Sequence, residues 1–329
     1  KAELPRLGYY TAVSATPSNG TVRTVASGSY SSLVSTIAAA QCGDVIVIPA
    51  KNGSAQAVYA GDRIIPTQVC DSSHYITVRT DQISNLPAEG TRITPAWAGV
   101  TSLPGRPAYD QPATAGVFLP KLVANVPGHV MFDMGSAAYF RFIGIEITVD
   151  CTQTSANYFQ VMKLGGASAG HHILDRVWLH GCELPNAPAV TGAPLQVQAG
   201  VSVNGRNLAI IDSYLNDFYT SNVGSSTDSQ AVLGGSGDDP QGVIKITNNF
   251  LESATECGMF GGGAATVNPT DIEIRRNHCF KPLQWRCDTG AGCPAASHVI
   301  VKNAAIELKN GVRVLFEGNV HENVWNATT

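Results

Sequence analysis

Carboxylates and amines recur beside Gly- and Asn-containing corners in the second half of the chain. Glu256, Glu307 and Lys309 lie in short segments that end at such corners, and Lys302 lies just before the last of them. A basic side chain can remove a proton from carbon, and a cation held by carboxylates can neutralise the negative charge that results. Proton removal beside the carboxylate of an acidic sugar needs both functions. We therefore predict these four residues as catalytic candidates, with Ca²⁺ as the cofactor that the carboxylates would accept.

Five further residues near the same segments are predicted to bind substrate. They are Lys163, Asp228, Gln230, Trp285 and Arg286. An alternative stays open for the acidic and basic candidates, because a Glu near a Lys on neighbouring strands is more often a surface ion pair. Asp238 and Asp239 precede Pro240 and are candidates for the two carboxyl groups of an inverting hydrolase, although Asp residues before Pro are also common turn formers.

A short strand that ends at a Gly or Asn corner repeats five times and must position these side chains. The copies are Met162 to Gly166, Val201 to Gly205, Ala231 to Gly235, Gly258 to Gly262 and Ile306 to Asn310. The residues just before the corners, at positions 164, 203, 233, 260 and 308, are separated by 39, 30, 27 and 48 residues. A repeat of this length with variable insertions is typical of a solenoid.

Alternation within these strands predicts which side chains face the core. The predicted interior column is Leu164, Val203, Leu233, Phe260 and Leu308. The predicted outer column is Lys163, Ser202, Val232, Met259 and Glu307. A shift of one residue would bury Lys163 and Glu307, so the pattern favours this register. The outer column is the predicted groove.

A second strand repeats along the same stretch and ends at a small polar residue. In successive copies that residue is Ser213, Asn249, Asn277 and Asn319. Asn side chains stacked at a bend can satisfy backbone groups of the neighbouring coils. A column of rings is expected to follow in the same register: Trp178, Tyr214, Phe250 and His278. Together the two repeats predict an all-β fold, a right-handed parallel β-helix.

Five segments carry a resemblance to a known group of proteins. They are Asp228-Ser229-Gln230, Glu256 to Gly262, Asp271 to Asn277, Phe280 to Trp285 and Glu307 to Asn310. With these segments the chain resembles secreted bacterial right-handed parallel β-helix repeat proteins of the pectate-lyase-like superfamily, from about Gly28 to the C-terminus. The resemblance implies the β-helix fold and an extracellular setting, and it implies no settled reaction.

One continuous β-helix domain is predicted for residues 29–329, after an irregular lead-in over residues 1–28. Ser31 to Gln41 has the spacing of a short amphipathic helix, which we expect to cap the open end of the β-helix. Residues 80–130 contain seven prolines and depart from the repeat, which predicts an insertion that either walls the groove or packs on its flank. Because no amphipathic segment follows Asn323, we expect a longer native chain or another molecule covering that end.

The composition narrows the range of partners. Only 14% of the residues are charged and the net charge is −4, so the chain lacks the basic stripe that nucleic acid binding requires. No apolar run approaches the roughly 20 residues of a membrane-spanning helix. The predicted partner is a polysaccharide, with neither nucleic acid binding nor membrane insertion.

Eight cysteines, an even number, favour disulfides and export over a reducing compartment. Their order suggests the pairs Cys42–Cys70, Cys151–Cys182, Cys257–Cys279 and Cys287–Cys293. Eight cysteines allow about 105 connectivities, so the order alone leaves other pairings open. The close cysteine and histidine clusters of a zinc site are lacking.

These features lead to one main hypothesis and two alternatives. The main hypothesis is a secreted or periplasmic carbohydrate-active protein of the polysaccharide-lyase type, which acts on an acidic glycan by β-elimination. The first alternative is a non-catalytic extracellular β-helix with a structural or adhesive role that stacks end to end. The second is an inverting glycoside hydrolase. Fold analogy alone does not decide among them, because one fold carries many functions.

Overall fold

Three parallel sheets wind around one core in the computed structural model, which describes residues 3–15, 19–153, 157–166, 170–183, 196–220, 228–237, 239–285 and 305–324. Successive turns of the chain contribute a strand to each sheet, and each strand pairs in parallel with the equivalent strand of the next turn. The predicted parallel β-helix is thereby confirmed.

The sheets differ in the number of strands that they contain. The first sheet has nine: Val22–Thr24, Val45–Ile48, Ile76–Thr80, Phe140–Ile143, Gly170–Asp175, Arg206–Ile211, Ile244–Thr247, Thr270–Arg275 and Val312–Glu317. The second has eight: Val58–Gly61, Lys121–Ala124, Glu146–Val149, Trp178–His180, Tyr214–Phe218, Phe250–Ser253, His278–Phe280 and Val320–Glu322. The third has six: Phe132–Asp133, Asn157–Lys163, Gln196–Ser202, Gln230–Gly234, Glu256–Phe260 and Ile306–Leu308.

Apolar side chains from all three sheets meet in one core. Phe142 of the first sheet, Leu179 of the second and Val201 of the third are fully buried in the same cluster. Because successive side chains of a strand point to opposite faces, every second residue of each strand can enter this core. The core therefore extends along the axis of the helix as far as the strands do.

Two members of the predicted interior column are misplaced: Leu308, on the last strand of the third sheet, is 45% exposed, and the coil of Leu233 has a different register. Val232, not Leu233, is paired with Val201 and Gly258, so Leu233 joins Ser202 and Met259 in the outer column. Gly234 takes the interior position that was predicted for Leu233. A side chain at Gly234 would collide with the ring of Phe260, which covers this glycine from the next coil. The prediction failed here because the Phe260 ring supplies the bulk that the pattern had assigned to Leu233.

The predicted asparagine ladder is confirmed. The backbone N–H groups of Ser213, Asn249 and Asn277 each donate over 2.9 Å to the side-chain oxygen of the ladder residue in the next coil. The Asn277 amide also donates over 2.9 Å to the carbonyl of Ile246. Each ladder residue thus satisfies backbone groups on more than one coil, which fixes the coils in register.

A nine-residue helix, Tyr30–Ala38, lies between the first two strands of the first sheet, close to the predicted bounds. Its side chains Leu33 and Ile37 enter the main core. Its role as a cap stays a prediction. The strand Val22–Thr24 already pairs with Val45 to Val47, so the β-helix begins within the stretch that was predicted to be irregular.

The Pro-rich stretch packs on the outer face of the second sheet. Trp97 and Phe118 of this stretch form a cluster with Trp178, Tyr214 and Phe250. The strand Lys121–Ala124 is a regular member of the second sheet, so the irregular part ends before residue 121 rather than at residue 130. The described part of the insertion therefore lies against the second sheet and, at Glu89, also contacts Arg141 of the first sheet, whereas the predicted groove belongs to the third.

Three predicted disulfides are present: Cys42–Cys70, Cys151–Cys182 and Cys257–Cys279. The fourth predicted pair, Cys287–Cys293, lies outside the described residues. Within the described part of the chain, the helices are too short or too polar to cross a membrane.

Replacing a central ladder residue tests what holds the coils in register. In Asn277→Ala the Asn249 N–H and the Ile246 carbonyl both lose a buried partner, so we expect the free energy of unfolding to fall by about 2 kcal/mol or more. Urea unfolding measures this change. Asn85→Ala, which alters an exposed residue of the insertion, is the control and should stay within about 0.5 kcal/mol of the parent. Equal destabilisation by the two variants would contradict the role of the ladder.

Candidate functional site

Three carboxylates converge at one end of the third sheet. One carboxylate oxygen each from Asp228, Glu256 and Glu307 lies within 4.8 Å of the other two. They come from three successive coils: Asp228 precedes the strand Gln230–Gly234, Glu256 begins the next strand, and Glu307 lies on the last. We call these three side chains the acidic cluster. Strands about 4.8 Å apart bring such residues together from distant parts of the sequence.

An irregularity in the strand Glu256–Phe260 directs Glu256 away from the core. The N–H groups of Cys257 and Gly258 both donate to the carbonyl of Ala305, over 2.7 and 3.4 Å. Two residues sharing one acceptor shift the alternation of the strand, as in a β-bulge. Cys257 consequently enters the core, where it is bonded to Cys279, and Glu256 lies on the opposite side.

Glu256 is fully buried and held by neutral donors. The Gln230 amide donates over 2.9 Å and the Thr255 hydroxyl over 2.8 Å to the same carboxylate oxygen. Gln230 is paired with Glu256 in the sheet, which explains why their side chains meet. The amide oxygen of Gln230 is itself buried and accepts no hydrogen bond from the described residues. A cation beside Glu256 would give that oxygen a partner, because amide oxygens are common ligands of Ca²⁺.

A buried lysine lies close to the cluster and was missed by the sequence analysis. The ammonium group of Lys281 donates to the carbonyl of Ala254 over 3.0 Å and to that of Thr255. Burial lowers the pKa of Lys281 to about 7, and the nearby Glu256 charge opposes this shift. Lys281 lies within one of the segments that carried the family resemblance, but nothing in its spacing indicated that the side chain would be buried.

Lys309 lies at the exposed edge of the cluster. Its amine is 3.4 Å from the Glu307 carboxylate, and both side chains are partly exposed. Three residues predicted as catalytic, Glu256, Glu307 and Lys309, therefore lie close together. Asp228 and Gln230, which were predicted to bind substrate, lie beside them. Lys309 therefore reaches solvent and also contacts one carboxylate of the cluster.

The remaining predicted site residues lie elsewhere. Lys163 is four strands from Glu307 in the outer column, about 19 Å at the usual strand spacing, and its amine is 3.2 Å from Asp133. Trp285 is 1% exposed, so its ring is unavailable on the surface. Lys302 and Arg286 lie outside the described residues, as does Asp238. The outer column between Lys163 and Glu307 contains Leu233 and Met259, which pack with Ala199.

The insertion is attached near this site by a buried ion cluster. The Arg106 guanidinium donates to both oxygens of Glu252, over 2.8 and 2.7 Å, and to Asp217 over 2.5 Å. All three side chains are almost fully buried. Arg106 also lies 5.8 Å from the ring of Trp285, in the segment that follows Lys281. One cation thus joins the insertion to two coils of the second sheet.

The pKa of Glu252 is raised by this arrangement. Burial disfavours its charged form, and the Asp217 charge adds to the effect, while Arg106 opposes it. A single guanidinium faces two buried carboxylates, so one negative charge is left without compensation. The result is a pKa of about 7 for Glu252, against an ordinary value of 4.5.

Comparison with known proteins identifies no family. Neither a family model nor a curated protein matches the chain. Among solved structures, it is similar to a mannuronic acid specific polysaccharide family 6 lyase from human gut microbiota, with 13% identity and a TM-score of 0.43 over 78% of this chain and 54% of that one. An alginate lyase from Paenibacillus sp. str. FPU-7 has 11% identity and a TM-score of 0.36, over 93% of this chain and 99% of that one. The pectate lyase Pel9A has 11% identity and a TM-score of 0.41, over 96% of this chain and 83% of that one. The chain spans about half the length of the first of these, and its fold assignment rests on its own strand pairing.

The acidic cluster predicts that the protein binds Ca²⁺. Calorimetric titration should show saturable binding, and Glu307→Gln should weaken it at least about tenfold by removing one charged ligand. Glu317→Gln removes a carboxylate of the same coil on the first sheet and should leave the affinity unchanged. Equal affinity in the Glu307 variant and the parent protein would show that the cluster is not the binding site.

The raised pKa of Glu252 predicts a pH dependence of stability. Between about pH 4.5 and 7 the folded protein holds a proton on Glu252 that the unfolded chain has lost. Its contribution to stability is therefore complete below about pH 4.5 and declines as the pH rises to about 7, with a slope of up to about 1.4 kcal/mol per pH unit. Unfolding measured across this range should show a flatter profile for Glu252→Gln than for the parent. Glu3→Gln, at an exposed site, should retain the parent slope.

Proposed function

We propose that the protein is a secreted polysaccharide lyase that cleaves an acidic glycan by β-elimination at the acidic cluster. The convergence of Asp228, Glu256 and Glu307 beside the amine of Lys309 carries this proposal. Three coils deliver these groups to one place, and β-elimination needs both an acidic and a basic function there.

The residues of the cluster fit a hard cation such as Ca²⁺. Asp228, Glu256 and Glu307 offer carboxylate oxygens, and the Gln230 side chain, whose amide nitrogen donates to Glu256, also carries a buried amide oxygen. Ca²⁺ prefers six to eight oxygen ligands, so three carboxylates and an amide leave room for a substrate carboxylate. A bound Ca²⁺ would supply positive charge to the substrate carboxylate and so acidify the neighbouring C–H group.

Lys309 is assigned as the base. Its side chain is 44% exposed and its amine adjoins Glu307, so it can contact a sugar bound at the cluster. In the proposed step, the amine of Lys309 acts as the base and takes the proton from the carbon next to the sugar carboxylate. The electrons of that C–H bond form the new double bond, and the glycosidic C–O bond breaks. The departing oxygen receives a proton, which the protonated Lys309 can return.

The buried residues around the cluster have positioning roles in this proposal. Gln230 and Thr255 fix one oxygen of Glu256, and Lys281 adds a positive charge beneath it. Lys163, farther along the outer column, would contact a carboxylate of a more distant sugar unit of the same polymer. The substrate is thus expected to run across the strands of the third sheet.

Secretion is supported by the disulfides. Three bridges join the described cysteines in pairs, which is typical of proteins that fold in an oxidising compartment. The end-to-end stacking and the structural or adhesive role considered from the sequence remain alternatives if cleavage is not found.

Elimination leaves a double bond conjugated with the sugar carboxylate, which absorbs ultraviolet light. We expect this absorbance to rise when the protein acts on at least one member of a panel of uronic-acid polysaccharides with Ca²⁺ present. Lys309→Ala should lower the rate by about 100-fold or more, because it removes the base. Lys51→Ala changes an exposed lysine of a two-stranded hairpin and is the control. The proposal fails if no polysaccharide of the panel responds, or if Lys309→Ala keeps the parent rate.

A further inference from the structure

A cleft of about 260 Å³ lies on the outer face of the first sheet, away from the acidic cluster. Its floor is formed by Arg141 of one strand of this sheet and by Lys245 and Thr247 of another. Its walls come from Thr11 of the N-terminal segment and Glu89 of the insertion. The volume is several times the roughly 30 Å³ that a water molecule occupies in the liquid, so the cleft can hold a group larger than water.

The floor of the cleft contains buried donors that lack acceptors. Arg141 is fully buried, and its Nη2 atom donates to Glu89 over 2.9 Å and to Asp175. Its Nε and Nη1 atoms have no hydrogen-bond partner among the described residues. The hydroxyl of Thr247, which is 6% exposed, has no such partner either. Buried polar groups are nearly always satisfied, so these atoms indicate a missing acceptor.

Lys245 adds a positive charge to the cleft, and its cross-strand neighbour is Glu273. Its amine donates over 3.1 Å to the hydroxyl of Thr11, a neutral group. Within the described part of the chain, no carboxylate lies within ion-pair distance of this amine. The side chain is partly buried, so the charge is less screened than on an open surface.

The carboxylates of the cleft are already engaged. Glu89 accepts from Arg141, and Glu273 lies 3.2 Å from Arg275. Asp212 accepts from the N–H of Gly90 and from the Asn248 amide, each over 2.7 Å. Donors therefore exceed acceptors in the cleft, and the group that would complete it must be rich in acceptors.

We propose that this cleft binds an oxyanion group, a carboxylate, sulfate or phosphate, through Arg141, Thr247 and Lys245. A guanidinium with unpartnered N–H groups on Nε and Nη1 is suited to an oxyanion, because charge-assisted hydrogen bonds to oxyanions are stronger than neutral ones. The oxyanion can come from an acidic saccharide or from a free inorganic ion, and the two sources share this chemistry. The volume of the cleft accommodates a sugar unit attached to the anionic group.

The site is independent of the proposed lyase chemistry. Its residues belong to the first sheet and the insertion, whereas the acidic cluster belongs to the third sheet. A second anion site on another face would let the protein hold an acidic polymer away from the point of cleavage. The proposed lyase activity is tested by ultraviolet absorbance with Lys309→Ala, and the proposed oxyanion cleft is tested by calorimetry with Lys245→Met and Thr247→Val. Either proposal can therefore fail without the other.

Calorimetric titration with sodium sulfate, sodium phosphate and glucuronate, at constant ionic strength, tests the oxyanion cleft. We expect saturable binding of at least one of these, weakened about fivefold to tenfold in Lys245→Met and in Thr247→Val through loss of one donor each. Arg141→Met should abolish binding, but it also breaks a buried ion pair, so the two milder variants decide the result. If glucuronate binds more tightly than the inorganic ions, the oxyanion that the cleft binds belongs to a saccharide. If an inorganic ion binds more tightly, the cleft binds a free ion.

Lys51→Met is the matched control, because it removes an exposed lysine far from the cleft and should bind as the parent does. The proposal is overturned if none of the three anions binds saturably, or if Lys245→Met and Thr247→Val bind as tightly as the parent. Lys245→Met should also leave the rate of any uronate elimination unchanged, which separates this site from the acidic cluster.

Discussion

Hydrogen bonding between identical positions of successive coils is the constraint on which this protein depends. Each strand of a parallel sheet needs partners on both sides, and the asparagine ladder adds side-chain bonds where the strands bend. Because these bonds repeat along the axis, a residue on one coil has a fixed neighbour on the next. Asp228, Glu256 and Glu307 are brought together by this regularity, although 79 residues separate the first from the last.

The site depends equally on a local departure from that regularity. A strand with perfect alternation would place Glu256 and Gly258 on the same side, next to the core. The shared acceptor at Ala305 lets Cys257 enter the core and leaves Glu256 on the outside. Buried polar groups around this point have nearby partners: Glu256 accepts from Gln230 and Thr255, and Arg106 faces two carboxylates, one of which, Glu252, has a raised pKa. Regular stacking thus fixes the positions of the coils, and one bulge places the Glu256 carboxylate on the outer side of the third sheet.

The sequence predicted the fold well because its signals were periodic. Asn249, Asn277 and Asn319 and the alternating apolar positions each required a neighbour of the same kind one coil away. It misplaced Leu233, since a Gly-Gly corner carries no side chain to distinguish two registers one residue apart. Glu256 and Glu307 were predicted as catalytic and Asp228 as substrate-binding because they lie near the predicted groove, but the approach of Asp228 to the other two was not predicted. The burial of Lys281 and Trp285 was not predictable, because it depends on how irregular segments fold over the sheets rather than on any period.

The bridge between Cys257 and Cys279 lies directly behind the bulge. It closes a loop of about one coil, with a sequence separation of 22, and joins the strand of Glu256 to the strand that precedes Lys281. Reduction of this bond would therefore release the backbone on both sides of the carboxylates while the asparagine bonds held the rest of the stack. Both sulfur atoms lie in the core, where dissolved thiols have no direct access, so this bond ties the three oxygens to the folded state of the coils around them.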